Sequence, residues 1–335
     1  MKKISMLQNS FLVILIICLT IVIKEYYLPS FIWTNQQHPL LKIIHRSPLY
    51  PNKLCLSGYY KNILLLVNFN HPFYDNIPMI RSLYERAFPN MVFYGTKKSR
   101  KFNVHKIESH KGYFSYIALA DAMEKYTNFT GYLLINDDLL IHPWSLLKLD
   151  QNKIWEGPKW PIAVANLSAF DHWYWWNSRW GLKKCLLARQ LAMTKYSNLI
   201  STLHDPENTT DQRLDCYRGR ADIFYVPKHK WKTFSKLSKI FHENNVFLEI
   251  AVPTILRMIS TSSEREFLDG IYLPGRVNSS VIRDTRYLWS HYQDDLHFIH
   301  PVKLRYGDEG TSLNRFVLDT FVKPKFDSIL NCTRN

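Results

Sequence analysis

Between residues 62 and 135, short unbroken apolar runs alternate with stretches of helical period, and this constrains the fold more than any other feature of the chain. The run at 62–69, with ILLLVNF at its heart, lacks polar alternation and is short, so it predicts a strand covered on both faces. Asn70-His71-Pro72 closes it in a turn. Asp75 or Asn76 then caps a helix with Pro78 in its first turn, and Ile80, Leu83, Tyr84 and Ala87 form one apolar stripe. A second strand at 91–94 comes after it. Next are a helix over 115–126, with Tyr116, Leu119, Ala120 and Met123 on one face, and a third strand at 132–135. Strand–helix–strand–helix–strand implies the α/β class and a parallel, doubly wound half-sheet. Ligands of such sheets sit beyond the carboxyl ends of the strands, so the residues directly after 135 stand where a site belongs.

Those residues are Asn136-Asp137-Asp138. Two adjacent carboxylates and an amide at a strand end suit a hard divalent cation, Mn2+ or Mg2+, held on oxygen and shared with a diphosphate. Such an ion would neutralise the charge that builds up on a leaving nucleoside diphosphate. The segment GYLLINDDLLIHPWSLLKL resembles the metal-binding segment of GT-A glycosyltransferases, the Rossmann-like nucleotide-diphospho-sugar transferases. It is distantly similar to the β-1,3-galactosyltransferase and Fringe type, through Asp137, Asp138, Leu139, Pro143, Leu146 and Leu147. Asn136 departs from that pattern, standing where those enzymes usually have aspartate.

The resemblance implies three further landmarks. A small-residue loop approaching the donor sugar is matched by residues 217–222, YRGRAD, with Gly219 and Asp222 as donor contacts. It leads into a strand at 223–226 and a helix bearing Trp231, Phe234, Leu237 and Phe241. An acid at the head of a helix, the family's usual general base, is matched by Glu249, with Pro253 expected in that helix's first turn. Glu249 lies among Phe247, Leu248 and Ile250, and burial there would raise its pKa, as suits a base, unless it is paired. A late histidine that binds the metal is matched by His300, with His297 as its competitor, so the metal set is Asp137, Asp138 and His300. Asn68, Asn70, His71 and Asn136 are placed near the nucleotide, and Lys111, Arg218 and Arg220 are candidate diphosphate contacts. The tryptophan-rich stretch at 155–180, including FDHWYWWNSRW, is equally a sugar-stacking surface or a hydrophobic cluster under a long insertion.

The amino terminus addresses the compartment. Lys2 and Lys3 precede an apolar run at 11–23, and extension through Tyr26, Tyr27 and Leu28 makes it long enough to cross a bilayer. No small-x-small cleavage site comes after it, so an uncleaved signal anchor is expected in place of a cleaved signal peptide. The expected plan is a cytoplasmic tail at 1–10, an anchor at 11–28, a lumenal stem at 29–60 and a GT-A domain at 61–335. That plan belongs to a single-pass type II protein of the Golgi membrane, or of the ER. Sequons at Asn128, Asn166, Asn208, Asn278 and Asn331 agree with a lumenal domain. So do Cys55, Cys185, Cys216 and Cys332, an even set with three possible pairings and no zinc spacing. The formal charge of +15 would favour a diphosphate substrate, and a lumenal protein does not meet nucleic acid. The basic cluster at 97–101 reads as a solvated loop.

The expected activity is metal-dependent transfer of a sugar from a nucleotide donor, UDP-linked, to a glycan, protein or lipid acceptor, inverting if Glu249 is the base. The alternatives are a catalytically inactive GT-A-like Golgi scaffold or regulator of other transferases, kept open by Asn136, and a secreted carbohydrate-binding protein.

Overall fold

Strand β1 (Ile63–Phe69) is buried along its whole length, as an apolar run with no polar face requires. The structure, a computed structural model, describes residues 55–158, 173–200, 216–273, 285–305 and 313–330. The anchor and almost all of the stem expected near the amino terminus lie outside these residues, as do Asn166, Asn208, Asn278, Asn331 and Cys332. No helix among the described residues is long and apolar enough to cross a membrane.

On one side, β1 pairs in parallel with β2 (Met91–Gly95), which pairs in parallel with β3 (Val104–Lys106). On the other side it pairs in parallel with β4 (Gly131–Asn136), placing Asn68 level with Asn136. The expected parallel half-sheet is therefore present. Beyond β4 the direction reverses. The short strands β5 (Leu140–Ile141) and β6 (Ile154–Glu156) are next in sequence, and β7 (Ile223–Pro227) pairs antiparallel with β4 and with β6. Next to β6 lies β8 (Arg265–Phe267), completing a seven-stranded mixed sheet in the order β3-β2-β1-β4-β7-β6-β8. A smaller sheet pairs β5 with β10 (Phe298–His300) and β10 with β9 (Gly270–Tyr272). The fold is mixed α/β around a central sheet.

Five helices matter for the site: α1 (Ile77–Tyr84), α2 (Tyr116–Lys125), α3 (Leu182–Tyr196), α4 (Trp231–Glu243) and α5 (Leu248–Ile259). Leu64, Leu66, Tyr132, Leu134, Phe224 and Val226 of the sheet share one continuous core with α2, α3, α4 and α5. The capping expected at the head of α1 is absent. Asn76 precedes the helix but makes no side-chain cap; its Oδ1 accepts from Arg315 Nη1 at 3.0 Å, because a distant guanidinium competes for it. Cys185 of α3 is disulfide-bonded to Cys216, which ties α3 to the start of the loop before β7.

Pro253 also differs from expectation. Phe247 is extended and α5 begins at Leu248, so Pro253 lies inside the helix, beyond its first turn. A proline there cannot donate to the carbonyl four residues back, which is that of Glu249. The Gly219 amide fills the gap, donating to the Glu249 carbonyl at 2.9 Å. The Tyr217 amide donates to Thr254 Oγ1 at 2.9 Å. The loop after Cys216 is thus fastened along α5 by hydrogen bonds, one of them to the carbonyl that the proline leaves free.

Candidate active site

The carboxyl ends of β1 and β4 bring three amides into a chain. Asn68 Nδ2 donates to Asn70 Oδ1 at 2.9 Å and to Asn136 Oδ1 at 3.3 Å. Asn136 Nδ2 donates in turn to Asp222 Oδ1 at 2.7 Å. Asn136 therefore needs both an acceptor and a donor, which an amide supplies and a carboxylate does not. Asn136→Asp would set a carboxylate against Asp222 and leave a buried hydrogen bond unmade. It is expected to cost about 1–3 kcal/mol in urea unfolding; unchanged stability would show that the amide network holds nothing.

Asp137 and Asp138 occupy the turn after β4. The Asp137 amide donates to the Asn68 carbonyl at 3.0 Å, and the Val302 amide donates to the Asp138 carbonyl at 2.6 Å, so the acid pair is clamped between β1 and the segment after β10. Asp138 Oδ1 lies 3.5 Å from His300 Nε2, and Lys303 Nζ is ion-paired with Asp138 Oδ2. Burial and the charge of Asp138 raise the pKa of Asp137. Burial works in the same direction on Asp138, but Lys303 and His300 outweigh it and its pKa is lowered. Burial opposes the charge on Lys303, and Asp138 more than offsets that.

His300 closes β10 and meets two acids, Asp138 and, at 3.6 Å, Asp222 Oδ1. Burial lowers its pKa, but the two acids raise it further, so the net shift is upward. Tyr272 of β9 stacks on the His300 ring with centroids 4.5 Å apart and donates its hydroxyl to Asp222 Oδ2 at 2.7 Å. His297, the competing histidine, is occupied elsewhere: its Nδ1 accepts from the Asp269 amide at 2.7 Å.

Glu249 enters from α5. It is buried, and Arg220 Nη1 donates to its Oε1 at 2.6 Å. The carboxylate is therefore paired, the case that the sequence left open. Burial still dominates over Arg220, and the pKa of Glu249 is raised. The Arg220 guanidinium lies over the Tyr272 ring, 3.9 Å from its centroid, so the Glu249–Arg220 pair joins the Asp222–His300–Asp138 group through Tyr272. Gly157 lets the Arg220 backbone pass close to it, since a Cβ there would lie 2.7 Å from the Arg220 carbonyl.

The remaining candidates fall around this group. Gly112 has a φ of 94° and a Cβ on it would meet Asn70 Oδ1 at 2.2 Å, so only glycine brings the exposed Lys111 loop up to Asn70. His71 is exposed and stacks against Phe73 with centroids 5.6 Å apart. Gly219 lines a cleft with Arg218, Arg220 and Pro253. In the tryptophan-rich stretch, Trp155 is core, stacked on Tyr225, and Trp176 is buried. Trp173, Trp175 and Trp180 are partly exposed around Tyr113 and Phe247, with Trp175 stacked on Phe247 at 4.1 Å. Residues 159–172 lie outside the described part. Sequence reasoning passed over Tyr272 and Lys303. Their only signals are a lone tyrosine in a short GIYL run and a lysine three places after His300.

Among the described residues no group of three or more His, Cys, Asp or Glu side chains is arranged to hold a metal ion. The donor chemistry nonetheless fits an ion of the Mg2+ kind. Asp138 Oδ1 is buried without a hydrogen-bond partner and faces His300 Nε2. Such ions take one or two carboxylates and complete their shell with water and substrate phosphates.

No protein-family model matches the chain. It is homologous to two Arabidopsis thaliana proteins, each named a probable glycosyltransferase. It is 24% identical to STELLO1 over 206 residues, covering 62% of this chain and 25% of that protein. It is 20% identical to STELLO2 over 244 residues, covering 72% and 30% respectively. The chain thus spans less than a third of the length of these relatives. Among solved structures, it overlaps a glycosyltransferase involved in glycosylation of the major capsid of PBCV-1 at 10% identity, covering 71% of this chain and 93% of that one, with a TM-score of 0.35. It overlaps the S. cerevisiae mannosyltransferase Ktr4p in complex with GDP at 8% identity, 70% and 80% coverage and a TM-score of 0.37. Overlaps this loose assign no residue a role.

Proposed function

We propose that this chain, a distant homologue of glycosyltransferases, is itself one: a GT-A-type enzyme that transfers a sugar from a nucleotide donor, UDP-linked, to a hydroxyl of a glycan, protein or lipid. The observation that carries the proposal is the convergence of Asp138, Asp222, His300 and the Glu249–Arg220 pair beyond the carboxyl end of β4. A strand-end acid cluster beside a buried carboxylate suits a reaction with a diphosphate leaving group and an acceptor proton to remove.

In this proposal Asn68, Asn70, His71, Asn136 and Lys111 border the nucleotide, and Gly219 and Asp222 border the donor sugar. Asp138 and His300 would hold Mn2+ or Mg2+, assisted by Asp137. Bound there, the ion supplies positive charge to the departing diphosphate. Glu249 takes the proton from the acceptor hydroxyl. Arg220 engages its Oε1, which leaves Oε2 for that proton. The acceptor oxygen bonds to the anomeric carbon as the bond to phosphate breaks, its electron pair leaves with the nucleoside diphosphate, and the configuration inverts. The hydrogen bonds of Asn136 give it a structural role in the site. A lumenal, Golgi-type location, with membrane attachment through residues 11–28, is part of the proposal; the Cys185–Cys216 disulfide supports an oxidising compartment.

Calorimetric titration of the full chain with uridine diphosphate and Mn2+ tests the site. Binding is expected, weakened about tenfold or more in Asp138→Asn, which keeps the shape and removes the charge. A variant that binds as tightly as the unaltered chain would remove Asp138 from the donor site.

A further inference from the structure

Helix α3 is apolar on two sides. Its inner side, with Leu182, Cys185, Ala188 and Ala192, is buried in the core, and the Cys185–Cys216 disulfide pins it there. Leu187 and Leu191 lie on the opposite side, one turn apart, with Leu186 beside them; Leu186, Leu187 and Leu191 are 42%, 44% and 46% exposed. A helix that is apolar all round is normally covered all round, so this outer face calls for a partner. Charge says which. The helix contains no acidic residue. Lys183 and Lys184 stand one turn before Leu187 and Lys195 one turn after Leu191, all three exposed. The ammonium groups of Lys195 and of Lys236 on α4 lie over the Tyr196 ring, 5.4 and 5.2 Å from its centroid, so the neighbouring helix adds a cation beside the end of α3. Among the described residues none of these four lysines is ion-paired, whereas Lys239, further along α4, is paired with Glu124.

We propose that the outer face of α3 docks on a lipid bilayer bearing anionic headgroups, with Leu187 and Leu191 at the centre of the contact. This goes beyond the transferase reading and does not depend on it. Leucines at such a contact enter the boundary of the acyl chains, and lysine stems lie along it with their ammonium groups among the headgroups. Each lysine near an anionic surface adds to the attraction. A second copy of the chain fits this face less well, because a symmetric contact over it would set its own lysines against one another.

Photolabelling tests this. The full chain is reconstituted with vesicles of phosphatidylcholine, alone or mixed with phosphatidylinositol, that contain a trace of phosphatidylcholine with a diazirine on its acyl chain, and the adducts are located by mass spectrometry. Peptides from Leu182–Tyr196 are expected to carry adducts, more of them in the mixed vesicles. Leu187→Glu combined with Leu191→Glu should lower that labelling about tenfold or more. Both side chains are exposed, so the melting temperature and the labelling of other segments should stay as they are in the unaltered chain. Lys183→Gln combined with Lys184→Gln should remove the response to phosphatidylinositol. An α3 that stays unlabelled, whatever else is labelled, overturns the inference, and so does equal labelling of the glutamate variant. Dimers of the unaltered chain that the glutamate variant dissolves overturn it as well and give the face to a second copy.

Discussion

Glu249→Gln is expected to lower sugar transfer by about 10²-fold or more while nucleotide binding stays near that of the unaltered chain. Glutamine keeps the size of the side chain and an oxygen for Arg220, but it cannot accept the acceptor's proton. The Glu249 carboxylate is buried and its pKa raised, with burial outweighing Arg220. The ionised form is the base, so transfer should rise with pH through that raised pKa. The acid limb of the profile is therefore expected above the ordinary glutamate range, and it should vanish in the glutamine variant. Turnover that survives intact, with its acid limb in place, would reduce Glu249 to a partner of Arg220 and leave inversion without a base.

Arg257→Met is expected to cost about 3–5 kcal/mol of stability, the scale for breaking a buried ion pair from one side. Arg257 lies on α5 two turns beyond Glu249, and Glu156 ends β6. Both are buried and bonded two-fold, Nη1 to Oε2 at 2.8 Å and Nη2 to Oε1 at 3.2 Å. Removing the guanidinium leaves Glu156 with Arg265 Nε at 3.5 Å as its nearest remaining cation. The double variant Glu156→Gln, Arg257→Met should be the more stable, because no buried carboxylate is left under-compensated. Urea midpoints measure both. A loss below about 1 kcal/mol in the single variant would mean that this pair does not fix α5, and Glu249 with it, against the sheet.

Three strands of the parallel half, β1, β2 and β4, were legible because they are continuous apolar runs and the helices between them carry single stripes; β3, with the sequence VHK, has no such run and was not expected. The far edge of that sheet and the smaller sheet were less so. β6, β8, β9 and β10 are three residues each, too short for periodicity to mark, and three of them hold site neighbours: Glu156, Tyr272 and His300. Pro253 misled because a proline is commonest in a first turn, whereas here its missing donor is taken up by Gly219 from another segment. Glu249 was visible as a carboxylate in an apolar helix, but its partner Arg220 lies twenty-nine residues away in a loop and nothing local links them. Lys303 escaped for the same reason: its significance is the contact with Asp138, which only the pairing of β5 with β10 creates.

The most direct test of the central claim is turnover. The full chain, purified from cells with an oxidising secretory pathway, is incubated with a panel of UDP-, GDP- and CMP-linked sugars, with Mn2+ and without, and free nucleotide is measured. At least one donor is expected to release its nucleotide at a rate that falls about 10²-fold in Glu249→Gln when an acceptor hydroxyl is supplied. If no donor is bound or turned over in any condition, the chain is not a glycosyltransferase and the cluster around Asp138 serves another purpose.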